Sequence, residues 1–202
     1  DNIYLYFGDM PPQRRIYTNK NFIGLSLYQD NLYHIKHDIN KIIPLKENSV
    51  DIIQSEDVTE HIEYSNLPSI INNIYKILKP GGLFRLSMPD YNCDILYNRS
   101  LKDEYNNIIF DSGGGGSYDS INKKVINGGH LWFPTYKNVK SALNSTKFKN
   151  VNIKYLHYYD ENDNPVTNPI DYSKGYISRT PDFDDRVKNP YRPISIIVDC
   201  YK

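Results

Sequence analysis

The segment from Leu67 to Met88 constrains this chain more than any other. Apolar residues stand at Leu67, Ile70, Ile71, Ile74, Ile77 and Leu78, the spacing of one helix face. Lys79-Pro80-Gly81-Gly82 follows. Proline cannot continue a helix, and glycine supplies the cap and turn. Leu83 to Met88 then reads as a strand ended by Pro89-Asp90. Upstream, strands are predicted at Ile3 to Phe7, Phe22 to Leu27, Tyr33 to His37 and from Val50 through Ile53. Strands alternating with helical or turn segments predict an α/β domain, a doubly wound and mostly parallel Rossmann-like sheet. Such sheets bind ligands beyond their C-terminal strand ends, near the topological switch point. Gly8-Asp9, Ser26, Asp38, Ser55-Glu56 and Asp90 all fall at predicted C-terminal strand ends, on one rim.

The second half is less regular and is expected to supply substrate-side loop insertions. Asn92 to Phe110 reads as an amphipathic helix and Tyr136 to Thr146 as another. Asp111 to Gly129, with Gly113 to Gly116, reads as a flexible glycine-rich loop or lid. Val151 to Tyr155 and Ile194 to Val198 read as strands. Between them Asp160 to Pro193 is a long loop rich in Pro, Asp and Tyr, and loops of that length usually carry function.

A length of 202 residues predicts one domain over 1–202. The abrupt opening on Asp1 suggests a domain excised from a longer chain. Lysine plus arginine and aspartate plus glutamate are equal at 24 each, which gives no reason to expect nucleic acid or a membrane surface as partner. No apolar run approaches the roughly 20 residues of a membrane span. Asp1 to Phe7 lacks the basic start and apolar stretch of a signal peptide. Cys93 and Cys200 sit in unrelated contexts and read as buried thiols of a reducing compartment, so the expected location is the cytoplasm.

Three motifs occur in order: Ile43-Pro44-Leu45 leading to Asn48-Ser49-Val50-Asp51, then Glu60-His61, then Leu78-Lys79-Pro80-Gly81-Gly82. Their order and spacing resemble class I S-adenosylmethionine (SAM) dependent methyltransferases, strongly over Asp38 to Asp90. The resemblance implies SAM as cofactor, held by Gly8, Asp9, Ser26, Asp38, Ile39, Ser55 and Glu56. Two positions depart from the family. Tyr6 replaces one glycine of the first turn, and Ser26 replaces the acid that holds the ribose hydroxyls. Restoring that acid, Ser26→Asp, is expected to tighten SAM binding or leave it unchanged.

Within the family the chain is most similar to methyltransferases of glycan- and polysaccharide-assembly clusters, through His157-Tyr158-Tyr159-Asp160-Glu161 and Gly175-Tyr176-Ile177-Ser178-Arg179. That similarity implies O-methylation of a sugar hydroxyl, a deoxy sugar such as rhamnose among the acceptors. It also implies a module fused to glycosyltransferase domains, as in large algal viruses, which would act in the host cytoplasm. Two other readings stay open: a catalytically silent methyltransferase-like binding module, and a methyltransferase acting on an amine or small molecule.

A sugar hydroxyl is a poor nucleophile, so a general base is expected within hydrogen-bond reach. His130, flanked by Gly128-Gly129 and Trp132, is the first candidate, with Asp90 as its orienting partner and Trp132 as a platform for a sugar face. His61 and Asp90 are the alternatives. The acidic step Glu56, Asp57 and Glu60 reads either as part of the site or as a solvated run. A divalent metal is open but not indicated: Asp90, Asp94 and Glu56 could offer oxygen ligands, with no diagnostic spacing.

Overall fold

The computed structural model describes residues 1–11 and 13–202, without the side chains of residues 13, 15 and 16; Pro12, of the Pro11-Pro12 pair, lies outside the described residues. The elements run β1 (Tyr4–Phe7), α1 (Gln13–Thr18), β2 (Phe22–Ser26), β3 (His34–Lys36), β4 (Val50–Glu56), α2 (Leu67–Ile77) and β5 (Leu78–Pro89). Then come α3 (Asp94–Arg99), β6 (Leu101–Lys102), β7 (Ile108–Phe110), β8 (Ser117–Asp119), β9 (Lys124–Ile126), α4 (Tyr136–Asn144), β10 (Ile153–Tyr159), β11 (Pro165–Thr167) and β12 (Ser195–Tyr201).

Eight strands form one sheet in the order β11-β10-β12-β5-β4-β1-β2-β3. β3, β2, β1, β4 and β5 are mutually parallel. β12 enters antiparallel to β5, and β10 and β11 continue antiparallel. The chain winds from β1 towards β3, then returns to place β4 on the other side of β1. The topological switch point is therefore the β1/β4 boundary. The expected doubly wound, mostly parallel α/β sheet is present.

Side chains alternate across the strands and make two different faces. Leu5, Phe7, Leu25, Ile53, Phe84 and Leu86 point to one side, where the apolar stripe of α2 and Val139 and Leu143 of α4 bury them. The residues of α2 predicted from spacing are buried. β5 begins earlier than expected, because Leu78 pairs with Val50 and a register shift accommodates Pro80-Gly81 within the strand. Tyr6, Phe22, Ile52 and Leu83 point to the other side.

That second face is covered by α1 and the segment around Tyr176. Tyr17 stacks on Tyr176 at 4.2 Å between ring centroids. The fully buried Arg85 anchors the segment from beneath. Its guanidinium pairs with Asp199 through two bonds of 2.8 Å and donates at 2.8 Å to the carbonyls of Asp171 and Gly175. The part of the long loop Asp160 to Pro193 from Asp171 to Tyr176 thus caps a sheet face.

Three expectations for the second half need correction. The helix predicted over Asn92 to Phe110 spans only Asp94–Arg99, and the β6/β7 hairpin follows. The supposed flexible loop Asp111 to Gly129 holds a helical turn and the β8/β9 hairpin. The loop Asp160 to Pro193 adds β11 to the sheet edge. One local device explains all three. The carboxylates of Asp103, Asp119 and Asp160 each accept backbone N–H bonds from residues two to four positions ahead, which closes tight turns. Among the described residues, no helix is long and apolar enough to cross a membrane.

Candidate active site

A cleft of about 250 Å³ opens at the switch point, lined by Gly8, Leu27, His37, Asp38, Ile39, Asp57 and His61 among others. Gly8 has φ +93°, and no atom lies within 4 Å of where a Cβ would stand. The turn after β1 therefore keeps a left-handed backbone and open space above it, a cradle that fits the close approach of a cofactor. Tyr6 does not obstruct this space. It points to the opposite sheet face, beneath the Arg14 guanidinium at 5.5 Å.

Of the residues expected to hold the cofactor, Gly8, Asp38 and Ile39 line the cleft. The other four do not. The Ser26 hydroxyl donates to Asp9 at 2.5 Å and accepts the backbone N–H groups of Tyr28 and Gln29. Its bonding capacity is spent on the β2 turn, and the same bond occupies Asp9. Ser55 is buried, and its hydroxyl has no hydrogen-bond partner among the described residues. Glu56 forms a two-pronged ion pair with Arg14 and accepts from Ser178, which locks α1 to the Tyr176 segment. These facts reverse the expectation for Ser26→Asp. A second carboxylate beside Asp9 would replace a hydrogen bond with like-charge repulsion. The variant is expected to melt at lower temperature with no gain in SAM affinity. Tighter SAM binding would show that the ribose does reach this position.

A polar cluster borders the cleft. Thr59–His61 forms a single helical turn after β4. Three bonds tie it to the chain 68 to 73 residues on: His61 Nδ1 lies 2.8 Å from the Gly129 carbonyl, Leu131 N–H donates to the Glu60 carbonyl at 2.8 Å, and Trp132 Nε1–H donates to the Thr59 carbonyl at 2.9 Å. These bonds bring the His61 and His130 rings edge to face, 4.7 Å apart. Trp132 packs its indole edge on Tyr64 and against the main core, so it serves as a strut rather than the expected sugar platform. Gly114 packs on the His130 ring so closely that a Cβ there would lie 2.6 Å from it.

The hydrogen-bond partners settle which ring nitrogens carry protons. Tyr91 Oη donates to Asp111 Oδ2 at 2.6 Å, because an ionised carboxylate only accepts. Arg99 holds Asp111 at 2.7 Å. Although burial pushes the Asp111 carboxyl up, Arg99 and Tyr91 outweigh it and hold it below its ordinary range. With its own proton committed, Tyr91 Oη must accept from His130 Nδ1 at 2.5 Å. The Gly129 carbonyl likewise fixes the proton on His61 Nδ1. Both histidines therefore present a bare Nε2. Burial first, and then the His61 ring, push the His130 pKa down to about 4, and burial also lowers that of His61.

His130 Nε2 faces Glu60 Oε1 at 3.7 Å. Glu60 has no exposed surface, and neither carboxylate oxygen has a hydrogen-bond partner among the described residues. Burial drives its pKa well up, aided by Asp57. A buried polar atom without a partner costs about 1–3 kcal/mol, so two on one side chain make Glu60 a candidate for ligand binding or chemistry. Asp57 lies in a left-handed backbone at φ +54°. One of its oxygens has no partner, and the other lies 3.4 Å from Arg179. Burial raises the Asp57 carboxyl to about 6.

Asp90, expected to orient His130, does not touch it. The buried Asp90 carboxylate accepts from the backbone of Asn92 at 3.0 Å and of Tyr159 at 2.9 Å, tying β5 to β10. Burial lifts it to about 7 against these bonds. The residue that orients His130 is its neighbour Tyr91, braced by Asp111 and Arg99. No motif flagged these three, because they meet only through folding of the β7–β9 region. The three carboxylates that could have offered a metal oxygen ligands, Asp90, Asp94 and Glu56, are each engaged elsewhere. Asp94 is exposed and paired with Arg192, Glu56 with Arg14, and Asp90 with backbone.

Residues 16–86 match the methyltransferase domain family. No curated protein matches the sequence. Several solved structures share the fold. One is a SAM-dependent methyltransferase of Thermotoga maritima, termed a possible histamine N-methyltransferase, with TM-score 0.56 and 12% identity over 100% of this chain and 83% of that one. SAM-dependent methyltransferases from Methanosarcina mazei (TM-score 0.54, 10% identity, 100% and 92% covered) and Archaeoglobus fulgidus (0.54, 12%, 100% and 86%) are similar in the same way. The matched segment runs through β2 to β5 and includes the Glu60-His61 turn beside the cleft, while the neighbours carry the architecture. The chain has the fold of class I SAM-dependent methyltransferases, and its residues 16–86 match the methyltransferase domain family.

Proposed function

We propose that the chain methylates a hydroxyl oxygen, on a sugar of a glycan, with a deoxy sugar such as rhamnose as an acceptor. The observation that carries this reading is the Glu60–His61–His130 cluster at the edge of the Gly8 cleft. SAM supplies a methyl group bonded to a sulfonium sulfur. As the acceptor oxygen bonds to that carbon, the carbon–sulfur pair returns to sulfur and the hydroxyl proton must leave. A neutral amine needs no such help, whereas a hydroxyl does. Two bare imidazole nitrogens and a buried carboxylate meet that need.

The sugar reading draws on an open groove of about 430 Å³ with a mixed polar and apolar lining, formed by Asn92, Thr135, Tyr136, Lys137, Tyr159 and Asp160 among others. It lies past the C-terminal ends of β5 and β10. In sheet order the cluster, at the ends of β4 and β5, stands between this groove and the donor cleft. Tyrosine rings beside amide, hydroxyl and carboxylate groups suit the mixed apolar and polar faces of a sugar.

Incubating the chain with SAM and a panel of methyl glycosides, methyl rhamnoside included, and primary amines tests the reading. S-adenosylhomocysteine release and a methylated glycoside are expected. Methylation of amines alone would overturn it in favour of the amine reading, and no SAM binding at millimolar concentration would favour a silent module. Gly8, Asp38 and Ile39 are the proposed cofactor contacts. Asp38 keeps one oxygen outside its turn with Asn40, suited to an adenine amino group. Because the site is half-exposed, Asp38→Ala is expected to weaken SAM binding by about 1 kcal/mol, about fivefold in Kd by calorimetry. An unchanged Kd would remove Asp38 from the site.

A further inference from the structure

We propose that Glu60, His61 and His130 bind a divalent first-row transition-metal ion at the rim of the donor cleft. One ligand atom from each residue lies within 4.8 Å of the other two, so small rotamer adjustments bring all three onto one ion. Both imidazoles are already in the ligating form. The Gly129 carbonyl holds the His61 Nδ1 proton, and the Tyr91–Asp111–Arg99 chain holds that of His130. Such outer partners are what orient ligating histidines in metal sites. Glu60 provides the independent indication. It is wholly buried and aimed at His130 Nε2, and among the described residues neither oxygen has a hydrogen-bond partner. Asp57, with its own unpartnered oxygen, adds negative charge from the same turn.

Two imidazoles and one carboxylate form a facial set that leaves further coordination positions open. Imidazole donors select manganese, iron, cobalt or zinc over magnesium and calcium, which prefer oxygen. His61 is exposed and also lines the donor cleft, so the site opens onto that cleft. There the ion would occupy the imidazole nitrogens and replace them as direct proton acceptors: it would take the acceptor oxygen as a ligand and lower its pKa, and the hydroxyl proton would pass to water before the oxygen attacks. That role rests on the O-methylation reading; the site itself does not.

Cobalt(II) titrated into the chain without SAM or acceptor tests the site by calorimetry and by visible absorption. One equivalent is expected to bind, with the spectrum of a nitrogen- and oxygen-ligated ion, and magnesium at equal concentration should fail to displace it. Glu60→Gln and His61→Ala should each weaken binding at least about tenfold. His61 is exposed, so His61→Ala keeps the test decisive if the Glu60 variant fails to fold. Absence of one-equivalent binding, or equal binding in the folded variants, would overturn the site. Equal displacement by magnesium would overturn the choice of ion. If cobalt binds as expected but no hydroxyl is methylated, the O-methylation reading falls and the site stands.

Discussion

Replacing His130 with alanine is expected to cut turnover on a hydroxyl acceptor by about 10²–10⁴, while SAM affinity stays within about twofold. His130 is absent from the lining of the donor cleft, whereas its Nε2 faces Glu60 beside the cleft edge. Loss of the ring therefore removes help for the acceptor hydroxyl and leaves the Gly8 cradle intact. Tyr91→Phe provides the finer measurement. It keeps the ring contacts but deletes the oxygen that accepts from His130 Nδ1. Its turnover should fall less, with the loss in kcat rather than in the SAM KM, because Tyr91 acts only by positioning His130. Near-normal turnover in the alanine variant would exclude His130 from the chemistry and bring His61 and Glu60 forward.

The second large effect concerns stability. Asp199→Ala is expected to destabilise the fold by about 3–5 kcal/mol, read from urea unfolding. Arg85 and Asp199 are 1% and 6% exposed at their side chains, so removing the acid leaves a cation buried with only the Asp171 and Gly175 carbonyls for company. The double variant Arg85→Met/Asp199→Leu should recover much of the loss, since an apolar pair of similar volume needs no charge compensation. It should still loosen the segment from Asp171 to Tyr176, detectable as faster amide exchange there. A loss below about 1 kcal/mol in the single variant would mean that water reaches Arg85 and that the segment is not anchored from beneath.

The parallel half of the fold could be read directly from residue order. The spacing from Leu67 to Leu78 and the Pro-Gly stop specify a helix and the following strand by short-range sterics and one buried stripe, and α2 and β5 lie there. The same reasoning located the rim, because strand ends and their turns are local features. It failed where a side chain chooses between rim and turn. Ser26 stands at the end of β2 as expected, but Tyr28 and Gln29 N–H groups and Asp9 claim its oxygen.

Asp90 shows the same limit. A carboxylate at a strand end reads as chemistry, yet the nearby Asn92 and the distant Tyr159 backbone need an acceptor in the packed fold. The Asp111 to Gly129 stretch read as a lid because glycines permit mobility, and close packing of Gly114 on His130 turns that permission into contact. Sequence alone determined the α/β class and the rim of strand ends, since each depends on neighbours within one or two elements, and the family resemblance singled out Glu60-His61. Tertiary structure alone decided that His130 crosses 69 residues to meet His61, that Tyr91, Asp111 and Arg99 fix its proton, and that Glu60 is buried without a partner. Hydrogen bonds between distant segments and the burial of a charge are properties of the packed chain, and no local pattern encodes them.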